Sequence, residues 1–495
     1  MATNRVFELR NWVYVSAALG LAGCTTVGPD YKQPMAPQVA GYTTQALPAQ
    51  TAATSGMALG GSQRFVAGQA VSAQWWESFG SAKLNALIEQ GLQASPSLAA
   101  AQATLRQAQQ SYAAQAGSSL YPQVDANLGA LRQRTNNSGF GQSGGEHIFD
   151  LYNAGVKVSY NLDLFGGNRR ALEALAAQAD YQRYQLEGAR QTLAGNIATA
   201  AMAQAQYAAQ ISATEAILGA QQSQVDIAHK RFTLGAIARG DELSLLTQLE
   251  QTRASLPPLR NQLQQTNHLL AVLVGEAPGA ATIPQFSLSD FTLPADVPLL
   301  VPSELVRQRP DIQASEALLR AANAEYGVAI SKSYPQINLS ATLGSQALSS
   351  SSLFGPGSII WSLVSQLAQP LFNGGLKAGV NSAQASFDAA AANYQQSVLQ
   401  GLRNVADVLR ALDNGAESLQ AQAAANNAAE ASLKLVQQQY LLGGLSYLQL
   451  LTAQQQAQQT RVNLIAAQAQ RLTDTAALYQ AMGGGWRSTP QFAAQ

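Results

Sequence analysis

Four segments of the chain alternate between apolar and polar residues with a period of two, which is typical of β-strands. They are residues 120–134, 151–164, 336–343 and 359–371. The last segment alternates poorly, because Ser365 and Gln369 fall on its apolar side. Its prediction as a strand therefore depends on an internal repeat rather than on its own pattern.

The lengths of these segments separate two interpretations. A soluble antiparallel sheet with one solvated face would give the same alternation. The longest segment, residues 120–134, has 15 residues, whereas strands of soluble proteins usually have about 5–6 and tilted membrane strands about 9–11. The length favours membrane strands. Four strands cannot close a membrane barrel and open edges are not tolerated in lipid, so several chains would have to share one barrel.

Residues with helical spacing surround the predicted strands. Residues 79–117 and 303–332 are rich in Ala and Leu, and each contains a proline (Pro96 or Pro310) that predicts the start of a new helix. Two longer stretches, Asn168–His229 and Gly375 to beyond Glu430, lack proline and contain few glycines. A helix of about 60 residues would be roughly 90 Å long, far longer than a globular helix.

Each long helix is predicted to turn at glycines and to return through a second helix. The turn glycines are Gly235, Gly240, Gly443 and Gly444, and the second helices are expected to end at Gly275 and Gly483. A solitary coiled-coil stalk would show continuous Leu/Ile heptads and many charged flanking residues, and neither is present. Small Ala residues favour close lateral packing of the helices into a tube.

The complete unit of helix, strand hairpin and helix pair occurs twice, about 210 residues apart. Tyr121–Val124 recurs as Tyr334–Ile337, Phe232–Gly235 as Tyr440–Gly443, and Thr252–Arg253 as Thr460–Arg461. The predicted repeats are residues 79–283, with strands at about 118–165 and a helix pair at about 167–275, and residues 303–485, with strands at about 334–372 and a helix pair at about 374–482. Residues 284–302 are a linker, and residues 486–495 a C-terminal tail.

Composition narrows the class of function. Only 12% of the residues are charged, and 29 Lys+Arg balance 29 Asp+Glu, which provides no polycation for nucleic acid. One cysteine excludes a disulfide framework and a cysteine zinc site. Three scattered histidines leave little for metal catalysis, and the sequence contains no phosphate-binding glycine loop or Ser/His/Asp set. An enzyme is the least supported class.

The N-terminus has the features of an export signal. Arg5 and Arg10 accompany an apolar run, Trp12–Leu21, and residues 1–23 end just before Cys24. Leu-Ala-Gly-Cys resembles the bacterial lipobox, which predicts a lipidated Cys24 and a lipid-anchored, irregular leader over residues 24–78. Thr25 replaces the aspartate that retains lipoproteins in the inner membrane. The alternative is an ordinary signal peptide with a coincidental cysteine.

Lipobox, duplication and the motif Arg309-Pro310-Asp311-Ile312 together resemble the outer-membrane factor family, the TolC-like lipoprotein exit ducts of tripartite efflux systems. The resemblance spans Tyr31 to Gly485. In the motif, Pro310 and Asp311 are suited to a first helical turn, which predicts a structural role.

The resemblance implies a fold and a set of partners. The fold is a trimeric outer-membrane β-barrel, with four strands from each chain, that continues into a long periplasmic α-helical barrel. The partners are two further copies of the chain, a periplasmic adaptor protein, an inner-membrane pump, often of the resistance-nodulation-division type, and outer-membrane lipid. Apart from the covalent lipid on Cys24, no cofactor is expected.

The resemblance also implies a gate at the helix-hairpin tips. Tyr440, three residues before Gly443, corresponds to the gate tyrosine of the family, and Asp241, six residues after Gly235, corresponds to its aspartate. Glu242 lies beside Asp241. In the family, such residues form hydrogen bonds and ion pairs that close the periplasmic end.

Other gate positions of the family carry different residues here. Leu445 replaces a basic residue found in some members, and Gln449 and Thr452 replace aspartates found in others. The closed state is therefore expected to depend on the packing of Leu445, Leu448 and Tyr440.

Asp241 and Glu242 would then supply the only acidic ring, with Arg231 and Arg239 as candidate partners. The alternative is that both carboxylates only stabilise a first helical turn, by about 0.3–1 kcal/mol.

The predicted function is a passive exit duct for small-molecule efflux in the outer membrane. One alternative keeps the fold and changes the cargo, giving an exit duct for type I protein secretion. Another class of protein, a structural lipoprotein that spans the envelope without conducting, is the second alternative. Lipid anchoring is more similar to the efflux branch.

Overall fold

The structure is a computed structural model that describes residues 26–35, 37–39, 41–69, 71–136 and 146–485. The predictions for the signal peptide, Cys24 and the C-terminal tail concern residues outside these ranges. Most of the described chain is helical.

The helices are α1 (Ala82–Ala94), α2 (Pro96–Leu120), α3 (Gly167–Thr233), α4 (Arg239–Leu273), α5 (Pro302–Gln308), α6 (Pro310–Ser331), α7 (Gly374–Leu441) and α8 (Tyr447–Ala481). The strands are β1 (Arg64–Ala67), β2 (Gln123–Asn136), β3 (Glu146–Leu162), β4 (Asp296–Leu299), β5 (Gln336–Ala347) and β6 (Ile359–Ala368). None of the described helices is both long enough and apolar enough to cross a membrane.

Sequence signals set the helix starts. The Ser81 side chain accepts a hydrogen bond from the Leu84 amide at 3.4 Å and so caps α1. Pro96 and Pro310 are the first residues of α2 and α6, as predicted. Proline fits this position because its missing N–H would have no helical partner.

The chain divides into two compact units. One comprises residues 26–34, 104–136, 146–182 and 315–394, and it contains β2, β3, β5 and β6. The other comprises the described residues of 35–103 together with residues 183–314 and 395–485, and it contains the short strands and the ends of the helix hairpins. The divisions fall inside α2, α3, α6 and α7.

The four long strands form one antiparallel sheet in the order β2-β3-β5-β6. Its pairing is continuous, so where the strands alternate with a period of two, apolar residues lie on one face and polar residues on the other. One apolar row is Val124, Val158, Ala341 and Leu363, and the adjacent polar row is Asp125, Lys157, Thr342 and Ser362. The strand β3 begins at Glu146, five residues before the alternation that predicts it.

The leader and the linker are more ordered than predicted. β1 lies in the leader and pairs in parallel with β4 in the linker. Arg64 Nε and Nη2 donate to the two carboxylate oxygens of Asp296, each at 2.9 Å. A strand of four residues is too short to show a period, which explains why the sequence pattern did not predict this pair.

The two long helices are as predicted. α3 has 67 residues and α7 has 68, which corresponds to roughly 100 Å each. Their partners α4 and α8 have 35 residues each. One detail of the prediction is wrong: Gly240 does not lie in the turn but is the second residue of α4.

Both long helices end in a Schellman motif, in which a left-handed glycine lets the last carbonyls accept hydrogen bonds. Gly235 has φ 73°, and its N–H donates to the Phe232 carbonyl at 2.8 Å. Gly443, 208 residues later, has φ 79°, and its N–H donates to the Tyr440 carbonyl at 3.1 Å. The repeat in sequence is thus a repeat in backbone hydrogen bonding.

Candidate functional site

The candidate site is the pair of hairpin ends in the second compact unit. The first tip is defined as residues 225–246, and the second tip as residues 433–454, at an offset of 208 residues. The two tips share one apolar cluster of buried residues, which are Ala228, Leu245, Tyr447 and Leu450. Partly buried side chains that pack against this cluster are Val225, Ile237, Leu433, Val436, Tyr440 and Leu451.

The first tip is built around a buried carboxylate. Glu242 is only 8% exposed, and its Oε1 lies 2.7 Å from Nδ1 of His229. Its Oε2 accepts a hydrogen bond from Nη1 of Arg239. The hydrogen bond from His229 and the charge of Arg239 lower the pKa of the Glu242 carboxyl, although burial opposes them. This network connects the end of α3 to the first turn of α4.

Arg239, the cation of this network, also contacts the aromatic ring of Phe232. The Arg239 guanidinium carbon lies 5.2 Å from the centroid of Phe232, at the end of α3, a distance typical of cation–π contacts. The expectation that arginine pairs with an acid at this tip therefore applies to Arg239 and Glu242. Asp241 and Arg231 take no part in the network among the described residues.

The second tip is built around two tyrosines. The rings of Tyr440 and Tyr447 meet edge to face, with centroids 6.3 Å apart and planes at 64°. Tyr447 is 9% exposed, and its hydroxyl has no hydrogen-bond partner among the described residues. Burial, with smaller contributions from Tyr440 and Asp241, raises the pKa of Tyr447 to about 12.

The other predicted gate residues belong to the second tip and are mostly exposed. Leu445 is half-buried, and Leu448 is 69% exposed. Oε1 of Gln449 accepts the N–H of Ser446 at 3.0 Å and caps α8. The Thr452 hydroxyl donates to the carbonyl of Leu448 at 2.9 Å, within the same helix. In this chain, these polar groups are engaged locally.

Two residues of the site were not predicted from the sequence, His229 and Tyr447. His229 lies 13 residues before Glu242, so only the geometry of the turn brings the two together. Tyr447 occupies the position 208 residues after Arg239, and the repeat offset was therefore the signal that could have identified it.

The motif Arg309-Pro310-Asp311-Ile312 connects two helices away from the tips. Arg309 is buried, and its Nη1 donates to the Ala481 carbonyl at the end of α8 at 2.9 Å. Its Nε and Nη2 donate to the Asp311 carboxylate at 3.0 and 2.7 Å. Ile312 is fully buried. These contacts fix the start of α6 against the end of α8.

The arrangement offers hydrogen bonding and apolar packing between helix ends. The described residues contain no group of three or more His, Cys, Asp or Glu that could hold a metal ion. The site can form or release contacts between helix ends, and that is the kind of change that a closure requires.

Comparison with known proteins identifies the family. The family model described as outer membrane efflux protein matches residues 87–276 and 301–484, in two segments like the two repeats. The solvent efflux pump outer membrane protein SrpC of Pseudomonas putida is 30% identical over 477 residues, covering 95% of this chain and 97% of that protein. The outer membrane protein OprJ of Pseudomonas aeruginosa is 28% identical over 472 residues, covering 95% and 94%.

A solved structure agrees with the sequence comparison. The outer-membrane channel OprN superimposes with a TM-score of 0.83 at 27% identity, over 93% of this chain and 100% of that chain. The predicted TolC-like fold, with long helices, a strand domain and an internal duplication, is thereby confirmed. The chain belongs to the outer membrane efflux protein family, and it is an outer-membrane channel component of an efflux system.

Proposed function

We propose that three copies of this chain assemble into the passive exit duct of a tripartite efflux system. The observation that carries this proposal is the sheet, which has an apolar face and two open edges, β2 and β6. In lipid, the unpaired N–H and C=O groups of these edges must be satisfied by another strand. Pairing of β6 in one copy with β2 in the next would close a barrel.

We propose that the duct receives its cargo from a periplasmic adaptor and an inner-membrane pump, with drugs or other small molecules as the cargo. The names of the relatives support this assignment, since SrpC is described as belonging to a solvent efflux pump. The duct needs no catalytic residue, because the pump supplies the energy and selects the cargo.

The tips are proposed to be the gate. The buried network at Glu242 and the ring pair of Tyr440 and Tyr447 hold the helix ends together. Release of these contacts would let the ends separate. Leu445, Leu448, Gln449 and Thr452 are proposed to face the same opening in the assembled duct.

Lipidation of Cys24 is proposed to anchor the duct in the outer membrane. The lipobox supports this proposal, and several acyl chains would hold the chain firmly, since each buried CH₂ contributes about 0.8 kcal/mol. Mass spectrometry of the mature N-terminus tests it. A mature chain that begins at another residue would exclude the anchor.

Conductance of the purified mature protein in planar bilayers, together with chemical crosslinking, tests the duct. We expect a trimer and a channel. A monomer without conductance would favour a structural lipoprotein instead.

Glu242→Ala and Tyr440→Ala test the gate, because each removes one of the contacts that hold the helix ends together, and both are expected to raise conductance or the leak of large antibiotics. Wild-type conductance in both variants would contradict the gate. It would favour the alternative that Asp241 and Glu242 only stabilise the first turn of α4.

A further inference from the structure

The apolar face of the four-stranded sheet, called here the outward face, is exposed along the middle of the strands. Its exposed side chains include Val124, Leu128, Val156, Leu343, Trp361 and Leu363. Contiguous exposed apolar surface of this kind marks an interaction with lipid or with protein. If the sheet spans the membrane, as in the proposed function on which this inference depends, the outward face contacts lipid tails.

The polarity of the outward face reverses at one level. After Ala130, which pairs with Tyr152, the same face carries Arg132 opposite Asp150, and then Arg134 opposite the exposed Ile148. The pairing of β2 with β3 continues without interruption from Gln123–Ser159 to Asn136–Glu146. The reversal is therefore a change of residues on one face and not a shift of the strand.

The opposite face changes in the reverse sense at the same level. There, Leu131 pairs with Leu151, and Gln133 pairs with Phe149. Nearer the start of β2, the same face carries polar residues such as Asp125, which pairs with Lys157. Three charged side chains on the outward face, together with apolar side chains on the inward face, are expected outside the hydrocarbon layer, because charged groups facing lipid tails are costly. Tyr152, at the border, is the residue type that is enriched at membrane–water interfaces.

This level lies at the end of the strands that is remote from the helices. β2 starts three residues after α2 ends, and β3 ends five residues before α3 begins. Arg132 and Arg134 lie at the other end of β2, near its connection to β3. In a duct whose helices extend into the periplasm, this end is at the outer leaflet.

We propose that Arg132 and Arg134 form a binding site for the phosphate groups of a phosphorylated glycolipid of the outer leaflet. The Arg132 side chain is 75% exposed, and its ion pair with Asp150 is long, at 3.8 Å. Side chains two residues apart on one strand face are about 6.8 Å apart along the strand, a spacing at which two arginine side chains can contact one headgroup. Arginine binds phosphate through two parallel hydrogen bonds, which lysine cannot reproduce.

Lipid retention by the full-length protein tests the proposal. The protein is reconstituted into phosphatidylcholine vesicles that contain either bis-phosphorylated lipid A or phosphatidylglycerol, extracted, and weighed by native mass spectrometry. We expect the wild-type protein to retain lipid A in preference to phosphatidylglycerol. Retention of lipid A should fall at least about tenfold in the variant R132Q/R134Q and about fivefold in each single variant.

Two variants serve as controls. Lys157→Gln removes one positive charge from the inward face of the same sheet, and it should retain lipid A like the wild type. R132K/R134K keeps the charge but loses the paired hydrogen bonds. Its retention of lipid A should fall between that of the wild type and that of R132Q/R134Q. Equal retention by R132Q/R134Q and the wild type, or equal retention of both lipids by the wild type, would overturn the proposal.

Insertion and conductance are measured on the same vesicles. A protein that does not insert contradicts the proposed function itself. A protein that inserts and conducts, but whose arginine variants retain lipid A normally, contradicts only the lipid site. The single variants keep the test valid if the double variant fails to assemble.

Discussion

The two hairpin tips have the same backbone and opposite chemistry. Each turn is a Schellman motif around a left-handed glycine, Gly235 or Gly443. Yet the buried position that Glu242 fills in the first tip is filled by Leu450 in the second, 208 residues later. The first copy thus has a carboxylate with two partners, His229 and Arg239, at a position where the second copy has a hydrocarbon side chain.

The contact between the two helices of each tip differs in the same way. In the first tip, Arg239 lies over the ring of Phe232. At the equivalent positions of the second tip, Tyr447 meets the ring of Tyr440 edge to face. The duplicated turn thus sets the geometry of each tip, whereas the side chains determine whether the stability of the tip depends on pH.

The largest effect is expected for Tyr447→Ala. Truncation of a buried aromatic side chain typically costs 3–5 kcal/mol, and Tyr447 packs in the cluster that both tips share. We expect about 3 kcal/mol less free energy of local opening, measured by amide hydrogen exchange in the first turns of α8. Arg239→Ala is the matched control at the equivalent position, and because Arg239 is more than half exposed, its effect should be clearly smaller. Equal effects would contradict the difference between the tips.

Next in size are Gly235→Ala and Gly443→Ala. An added Cβ would meet nothing within 4 Å at either glycine, so the whole penalty is conformational, about 1–2 kcal/mol for a left-handed residue. The cost should be the same in both tips, measured by hydrogen exchange at the ends of α3 and α7. Gly240→Ala, inside α4 and also in open space, should instead stabilise by about 0.5–1 kcal/mol. Unequal costs in the two turns would show that they are not equivalent.

Acid is expected to loosen the first tip selectively. His229 and Arg239 lower the pKa of the Glu242 carboxyl in the folded chain, so the unfolded state binds its proton at higher pH. This stabilisation is complete above the unfolded pKa of about 4.3, and it is lost as pH falls through the lower folded pKa. Hydrogen exchange at pH 7, 5 and 3.5, corrected for intrinsic rates, should show faster opening of the first tip only.

Glu242→Leu gives the first tip the residue of the second and should remove this pH dependence. Its effect on stability at pH 7 is expected to be modest, because Arg239 and His229 are more than half exposed and solvent screens their charges. A pH response of equal size in the second tip would contradict the comparison.

The smallest effect is expected for Tyr447→Phe. The hydroxyl of Tyr447 has no partner among the described residues, so its removal should change the free energy of local opening by less than about 0.5 kcal/mol. Tyr447→Ala in the same assay is the reference. A large loss in the phenylalanine variant would mean that the hydroxyl bonds to a group of another chain in the assembled duct.

Regular and repeated features could be predicted from the sequence. The long helices, the four strands and the duplication follow from periodicity sustained over many residues. The contact between β1 and β4 could not be predicted, because each strand has four residues and the pairing joins segments more than 200 residues apart.

The candidate site was predicted only in part, for a related reason. Glu242 and Arg239 are three residues apart on one helix, a spacing that the sequence reveals. His229 reaches Glu242 across the turn, and that contact depends on where α3 ends. Tyr447 has no unusual neighbours in sequence, and only its place in the repeat marks it.

α4 and α8 have equal lengths, 35 residues each. This equality limits which insertions and deletions the protein can tolerate. One inserted residue in α4 would rotate the tip by about 100° and shift it by about 1.5 Å relative to the rest of the helix. Leu245 would then leave the cluster that it shares with Tyr447. Insertions that keep both the facing side and the level of the tips must come as whole pairs of turns, about seven residues, and must occur in α3, α4, α7 and α8 at once. We expect single-residue insertions and deletions to be tolerated in the loops and eliminated from these helices.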